Sequence, residues 1–366
     1  MSNPLSFAVV GAGANIYNNH KQAIHALGGN LVALCDVSAD VGKARADEIG
    51  AAFYSSVETM LAEMTPDVVS VVTPHPFHAT IAIQALEAGC NVLVEKPMAV
   101  HVAEADAMIA AAEKSGKKLA LSFQQRLRPH VRALKQAVDD GAFGRIQHID
   151  MATAWPRTNV YYQGSSWRAT WQGEGGGVLL NQAPHQLDQI CHLLGMPSKV
   201  TAWARRKLFD IETEDTIQAM LEWPSGTLGS VHISTAEGWR PERVELVGSK
   251  RYANLEGTTF TVKQLSSDFT EFITTANAPF AKPDISDDSF DLPQGAEGHT
   301  GIYENLQAAI TKGTPLVADG AEGRMSLELA NAMLYSSLTG ETIDLPLDRA
   351  AYKAMLDELI AGTRQL

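Results

Sequence analysis

The chain has 366 residues, 45% hydrophobic and 19% charged, proportions of a globular protein long enough for two domains. A net charge of −13 argues against a nucleic-acid partner, which calls for a basic face. The three cysteines, Cys35, Cys90 and Cys191, form no CxxC pair and no zinc spacing, and neither a signal-like N-terminus nor a membrane-length apolar run is present; a soluble, cytoplasmic protein is expected.

The first third alternates strand-like and helix-like segments. "SFAVVGAG" leads into a helical stretch through "HKQAIHALGG", "NLVALCD" into "SADVGKARADEIG", and "DVVSVVTP" into "HATIAIQALEAG". "CNVLVEKP", the helical "AEADAMIAAAEKSG" and "KKLALSF" complete the series. Continuous apolar strands separated by amphipathic helices predict a parallel, doubly wound Rossmann sheet covered on both faces. This cofactor domain is assigned to residues 1–123.

Beyond Phe123 the rhythm changes to alternating strands and turns, from "GRIQHIDMATAW" through "TFTVKQL", interrupted by one helix around residues 182–194. The pattern predicts an α+β domain over residues 124–366 with a large, mostly antiparallel sheet. Residues 277–297 read as a long loop, followed by helices near 298–312 and 322–339 and a tail helix after Asp348.

Gly11 and Gly13 follow the first strand and open a helix, which gives a weak glycine motif a useful context. The first glycine permits a tight turn, and the second lets a pyrophosphate approach N–H groups at the helix start, beside Asn15 and Ile16. Ile16 stands where the third glycine is usual, so its bulk is expected to push the helix slightly from the strand. Asp36, ending the second strand somewhat beyond the usual spacing, is placed to bind ribose hydroxyls and repel a 2′-phosphate, favouring NAD. A loop acid or helix cap is the alternative for Asp36.

"NVLVEKP" ends its strand in two opposite charges and a proline. Ligands in such sheets lie beyond the strand C-termini, so Lys96 projects toward the nicotinamide end, with Pro97 fixing the turn. A solvated lysine paired with Glu95 is the competing reading. In "GEGGGVLLNQAPHQLDQICHLLG", residues 173–195, Asn181 and His185 are four apart and share a helix face if Asn181 lies in the first turn. Pro184 fits a helix start. A lysine and a histidine meeting at a nicotinamide are suitable proton handlers for alcohol oxidation.

GAG after strand one, TPHPFH, EKP and GGGVLLNQAPH together resemble the glucose-fructose oxidoreductase/inositol dehydrogenase (Gfo/Idh/MocA) family over essentially the whole chain. The resemblance implies Lys96 and His185 as catalytic residues, with Asn181 at a position where many relatives carry Asp. It also implies that Thr73, Pro74, His78, Glu95 and Gln124 line the cofactor, with Trp167 and Arg168 as a cofactor-contacting pair. The same resemblance points to a homodimer or homotetramer through the second domain's sheet.

His185, Asp188 and His192 have a metal-like spacing but supply one helix without companion ligands, so no metal is expected. Trp155, Tyr161, Tyr162, Trp167 and Trp171 are either core and interface or a sugar-stacking wall. Arg126, Arg128, Arg157 and Arg168 are candidates for phosphates, acidic substrates or surface acids. The leading expectation is an NAD-dependent dehydrogenase or reductase of a sugar, glycoside or cyclitol. Lys96, Tyr161, Arg168, Asn181 and His185 are its candidate substrate contacts. An NAD-dependent glycosidase using transient oxidation and a non-catalytic NAD-binding protein are the alternatives.

Overall fold

The computed structural model describes residues 4–366. Strands β1 (Ser6–Val10), β2 (Asn30–Cys35), β3 (Ala52–Tyr54), β4 (Val68–Val71), β5 (Asn91–Val94) and β6 (Leu119–Leu121) form one sheet. Its order is β3-β2-β1-β4-β5-β6 and every pairing is parallel. Helices α1 (Tyr17–Ala26), α2 (Ala39–Ile49), α3 (Val57–Glu63), α4 (His78–Glu87) and α5 (Val102–Ser115) lie between the strands. The central strands β4 and β5 are buried at every position, which is why they read as unbroken apolar runs. Strand order reverses between β1 and β4, opening a crevice at their C-terminal ends.

The second half begins with α6 (Pro129–Asp139) and β7 (Ile146–Ala154). Four helices follow: α7 (Asn159–Gln163), α8 (Trp171–Glu174), α9 (Val178–Asn181) and α10 (Pro184–Leu194). Then come β8 (Lys199–Arg205), β9 (Thr216–Glu222), β10 (Leu228–Ser234), β11 (Arg240–Gly248), β12 (Arg251–Glu256) and β13 (Thr259–Leu265). The chain closes with α11 (Phe269–Thr275), β14 (Ile285–Asp288), α12 (Gly298–Lys312), α13 (Gly320–Thr339), β15 (Ile343–Asp344) and α14 (Arg349–Ile360).

The nine strands form a sheet in the order β14-β13-β12-β11-β7-β10-β9-β8-β15. All its pairs are antiparallel except β7 with β10. One face, carrying Val200, Ala219, Leu221 and Val231, is buried, while Trp203, Met220 and Leu228 stand exposed on the other. Long helix α13 packs on β8 and α10 and also reaches α5 and β6 of the first sheet. Gly323 makes that approach possible, since a Cβ there would lie 2.4 Å from Leu121. Helix α12 packs on α1 and puts Tyr303 into the same apolar cluster as Phe7 and Val9.

Three local expectations are corrected. Residues 277–297 are not wholly loop, because β14 adds an edge strand paired with β13. Helix α6 fills a stretch that alternation had left unread. The helix expected from residue 182 starts at Pro184, so Asn181 and His185 come from two helices rather than one face. Proline has no N–H to continue the helical ladder and its ring crowds the carbonyl four residues back, so α9 cannot run on into α10.

Candidate active site

The crevice at the end of the parallel sheet is a cleft of about 840 Å³. Gly11, Gly13, Asn15, Ile16 and Asp36 line one end. Thr73, Pro74, His78, Glu95 and Lys96 line its floor, and Tyr161, Trp167, Arg168 and Asn181 close it from the second half of the chain.

The glycine end is tightly built. Gly11 has φ +97°, and a Cβ on it would lie 2.8 Å from the Val72 carbonyl, so this turn requires glycine. The Gly13 N–H donates to Asp36 Oδ2, and the Ser38 N–H donates to Asp36 Oδ1 at 2.8 Å. Asp36 thus ties the glycine turn to the end of β2. Ile16 occupies the N-cap of α1 and packs against the Phe7 cluster. Arg45 donates to the carbonyls of Ala12 and Ala14 from beneath the loop. The Thr73 hydroxyl is buried without a protein partner, and with the glycine cradle this polar wall fits a bound dinucleotide.

At the floor, His78 spans the carbonyls of Thr73 (2.7 Å) and Pro97 (2.9 Å), joining TPHPFH to EKP. Glu95 and Lys96 do not pair through their charged groups. Glu95 Oε1 is shared by His20 Nε2 and His299 Nε2, both at 3.1 Å. His20 continues through Nδ1 to the Tyr303 hydroxyl at 2.9 Å, which contacts Ser70 at 2.7 Å. Burial alone lifts the Glu95 carboxyl, but hydrogen bonds and charge from the two histidines outweigh it and hold the group well below the carboxylate range. His20, Glu95 and His299 bring metal-capable atoms within 4.8 Å of one another. Hydrogen bonds already tie these three together, fastening α1 and α12 to the end of β5. The spacing His185, Asp188, His192 forms no comparable group, because both Asp188 oxygens are held by Arg126 (2.9 and 2.7 Å).

Lys96 instead donates from Nζ to the backbone carbonyl of Asn181 at 2.9 Å. Burial depresses its pKa, while the carboxylates of Glu95 and Glu174 act in the opposite direction. His185 is 8% exposed, edge-on to Phe123. Burial first, and then the nearby Lys96 charge, push its pKa down to about 3, so the imidazole is neutral at physiological pH. Its Nδ1 has no protein partner, and its Nε2 lies 3.4 Å from Gln124 Nε2. Gln124, expected to line the cofactor, and His185, expected to meet the substrate, therefore lie against each other, and neither is among the residues lining the cleft.

Asn181 links the remaining groups. Its Oδ1 accepts from the Tyr161 hydroxyl at 3.2 Å and from Gln182 at 3.1 Å, and its Nδ2 donates to Glu174. The Tyr161 hydroxyl also accepts from Arg168 and from Gln182 (2.7 Å), while the Arg168 guanidinium stacks over Tyr161 and Trp167. The aromatic segment therefore divides. Tyr161 and Trp167 border the cleft, Trp171 is core, and Tyr162 packs on Phe209.

The glycine cluster before Asn181 is explained by Glu214. Its carboxylate accepts the Gly177 N–H on both oxygens and the Leu179 N–H on Oε1, each at 2.9 Å, and burial pushes its pKa up to about 7. A Cβ at Gly177 would lie 2.0 Å from the Glu214 carbonyl oxygen. Glu214, Glu174, Gln182 and the His20–His299 pair escaped sequence reasoning. Only Glu174 carried a local signal, a lone acid inside a glycine-rich motif.

Residues 5–123 match the model described as the oxidoreductase family, NAD-binding Rossmann fold, and residues 131–254 match the GFO/IDH/MocA C-terminal domain. D-glucoside 3-dehydrogenase of Escherichia coli (strain K12) is 29% identical over 94% of this chain and 98% of its own length. Inositol 2-dehydrogenase of Rhizobium meliloti (strain 1021) is 27% identical over 90% of this chain and 96% of its own. The WlbA dehydrogenase from Bordetella pertussis, solved with NADH and UDP-GlcNAcA, superposes with a TM-score of 0.81 at 29% identity, covering 94% of this chain and 100% of that one. With both halves of the chain matched and a dinucleotide cleft between them, this protein belongs to the GFO/IDH/MocA family and is an NAD-binding oxidoreductase.

Proposed function

We propose that the chain is an NAD-dependent dehydrogenase or reductase acting on a CH–OH carbon of a neutral sugar, glycoside or cyclitol. In this reading residues 1–123 hold the cofactor and residues 124–366 the substrate. The observation that supports it is the joining of Lys96 to the Asn181 carbonyl and of Asn181 to Tyr161 at one end of the dinucleotide cleft, with the neutral imidazole of His185 near enough to feel the Lys96 charge. The named activities of the glucoside and inositol dehydrogenases support the substrate class.

Bound nicotinamide supplies the hydride acceptor or donor. The protein's share is proton handling and orientation. Following the family resemblance, His185 is assigned to a substrate hydroxyl and Lys96 to steady oxygen as its charge changes. The His185 Nδ1 is unpartnered but buried, so a substrate reaches it only if the neighbouring groups shift. Tyr161 and Trp167 offer rings to a sugar's apolar face. A neutral substrate is supported by the arginines. Arg126 is held by Asp188 and Glu322, Arg128 by Glu242, and Arg168 by Tyr161 and nearby Glu174. Among the described residues this leaves Arg157 alone of the four without a carboxylate partner, and no pair of free guanidiniums as a clamp.

We also place the protein in the cytoplasm as a homodimer or homotetramer. All three cysteines are free and buried, which suits a reducing compartment, and among the described residues no helix is long and apolar enough to cross a membrane. The open face of the nine-stranded sheet, with Trp203, Met220 and Leu228 on adjacent strands, is the candidate interface.

The test is a panel of hexoses, pentoses, glycosides, anhydrosugars, inositols and 2-hydroxy acids with NAD, and their keto forms with NADH, read by NADH absorbance. Turnover of polyols and not of hydroxy acids is expected. Reaction with hydroxy or keto acids alone overturns the reading, and aglycone release without net NADH would point to a glycosidase.

A further inference from the structure

Glu174 closes α8 inside the glycine-rich motif and is 1% exposed. Its two oxygens are divided. Oε1 accepts from the Asn181 amide and lies 3.7 Å from the Arg168 guanidinium, and Oε2 accepts the Ala169 N–H. Ala169 has φ 55°, a left-handed backbone that a residue with a Cβ resists, and it directly follows Trp167 and Arg168 at the cleft. One buried carboxylate thus holds a strained turn and an amide of the site.

The bond to Asn181 has a directional consequence. An amide has one donor end and one acceptor end, and a carboxylate takes only the donor. With Nδ2 committed to Glu174, Oδ1 faces Tyr161 and Gln182, while the backbone carbonyl of the same residue holds the Lys96 ammonium. The charged groups around Lys96 are Glu95 beside it, Glu174 from α8, and Arg157 and Arg168 from the segment before α8. His75, His78 and His185 also face it, and burial lowers all three. Glu95 is already shared by His20 and His299.

We propose that Glu174 is the positioning acid of this site: it holds the Lys96 ammonium by its charge and fixes the acceptor edge of Asn181 toward Tyr161. This rests on the proposed reading of Lys96 as a group that steadies the reacting oxygen. Burial lifts the Glu174 carboxyl, but the Ala169 N–H, the Asn181 amide, Arg168 and Lys96 all favour its ionised form. Replacing it by glutamine removes the charge and leaves one acceptor oxygen for two donors, so the new N–H₂ faces either the Asn181 N–H₂ or the Ala169 N–H and the order of Asn181 and its neighbouring turn is lost.

The experiment titrates Lys96 directly in the cofactor-free full chain. Competitive labelling with acetic anhydride across pH, quantified by mass spectrometry of the Lys96 peptide, gives the midpoint of its deprotonation. Glu174→Gln is expected to move that midpoint to lower pH by about 1 unit, the scale of a lost neighbouring charge. Glu174→Gln combined with Asn181→Asp, which transfers the carboxylate across the same hydrogen bond, should bring it back toward the wild-type value. On any substrate from the panel, the single variant should lower kcat about tenfold or more with KM little changed, and shift the corresponding limb of the pH profile downward. An unmoved midpoint in folded Glu174→Gln, or a double variant no nearer wild type than the single one, overturns the proposal. If Glu174→Gln does not fold, Glu174→Asp decides, because it retains the charge but withdraws from Asn181. It should keep the midpoint and lose turnover, and unchanged turnover would overturn the positioning role. The labelling arm needs no substrate, so failure of the polyol reading and failure of this proposal are separate results.

Discussion

Acid should destabilise this protein through His185, and the size of the effect follows from burial. The imidazole is held near 3 in the fold against an ordinary value of 6.5. Between those values the unfolded chain binds a proton that the folded chain refuses, so stability falls as pH drops below the unfolded value. Above it both states are neutral and the group contributes no pH dependence. At pH 5 the unfolded state gains about 1.5 units of protonation free energy, or ~2 kcal/mol at ~1.4 kcal/mol per unit. His75, His130 and His192 are depressed in the same direction and add to the acid sensitivity of the whole chain.

His185→Gln isolates one share of that sensitivity, since glutamine is polar, of similar reach and does not titrate. Urea unfolding of both proteins at pH 8 and pH 5, followed by tryptophan fluorescence, gives the two losses. The wild type should lose ~2 kcal/mol more than the variant, with the other histidines cancelling in the difference. Equal losses would refute the reading of His185 as a buried imidazole kept neutral by the fold. The point bears on the proposed mechanism, because an imidazole neutral throughout the working range has a lone pair with which to accept a proton.

Asp36→Ser should narrow the preference for NAD over NADP by about tenfold, the scale of one screened charge contact, when both cofactors are titrated by tryptophan fluorescence. A native preference for NADP would sink the ribose-binding role of Asp36. Lys96→Met and His185→Ala should each lower turnover by about 10²–10⁴, with NAD affinity surviving the His185 change. Near-native turnover in either variant would remove that residue from the chemistry. Trp203→Glu together with Met220→Glu should reduce the mass seen by light scattering to that of one chain; a wild type already monomeric would remove the sheet-face interface.

The parallel sheet was legible because its strands are buried on both faces and therefore write continuous apolar runs, such as Val92–Val94. The second sheet was legible as alternation, yet its strand order was not. The parallel pairing of β7 with β10 joins segments some 80 residues apart that carry no mutual signal. The break between α9 and α10 did have a local cause in Pro184, which correctly marked a helix start but also excluded Asn181 from that helix. Glu214 was invisible for a different reason. In sequence it is one acid in "ETEDT", and only the fold turns it inward onto the Gly177 and Leu179 N–H groups.

The charge pair at the end of β5 shows how far sequence adjacency misleads about contact. Successive side chains at a strand end point to opposite sides, so neighbours of opposite sign are poorly placed to neutralise each other. Glu95 turns toward α1 and α12, where His20 and His299 take its Oε1. Lys96 turns toward the second half of the chain and takes the Asn181 carbonyl. Had the two paired, the lysine would be tethered away from Asn181 and the carboxylate would be unavailable to fasten α12. Two histidines distant in sequence occupy Glu95, leaving Lys96 directed at the residue that also orders Tyr161 and Glu174. The proline that follows is part of the same turn, since its carbonyl is held by His78 from the neighbouring strand's loop. Opposite charges at this strand end thus serve two separate tasks: one joins the cofactor sheet to its covering helix, and the other presents a cation at the cleft.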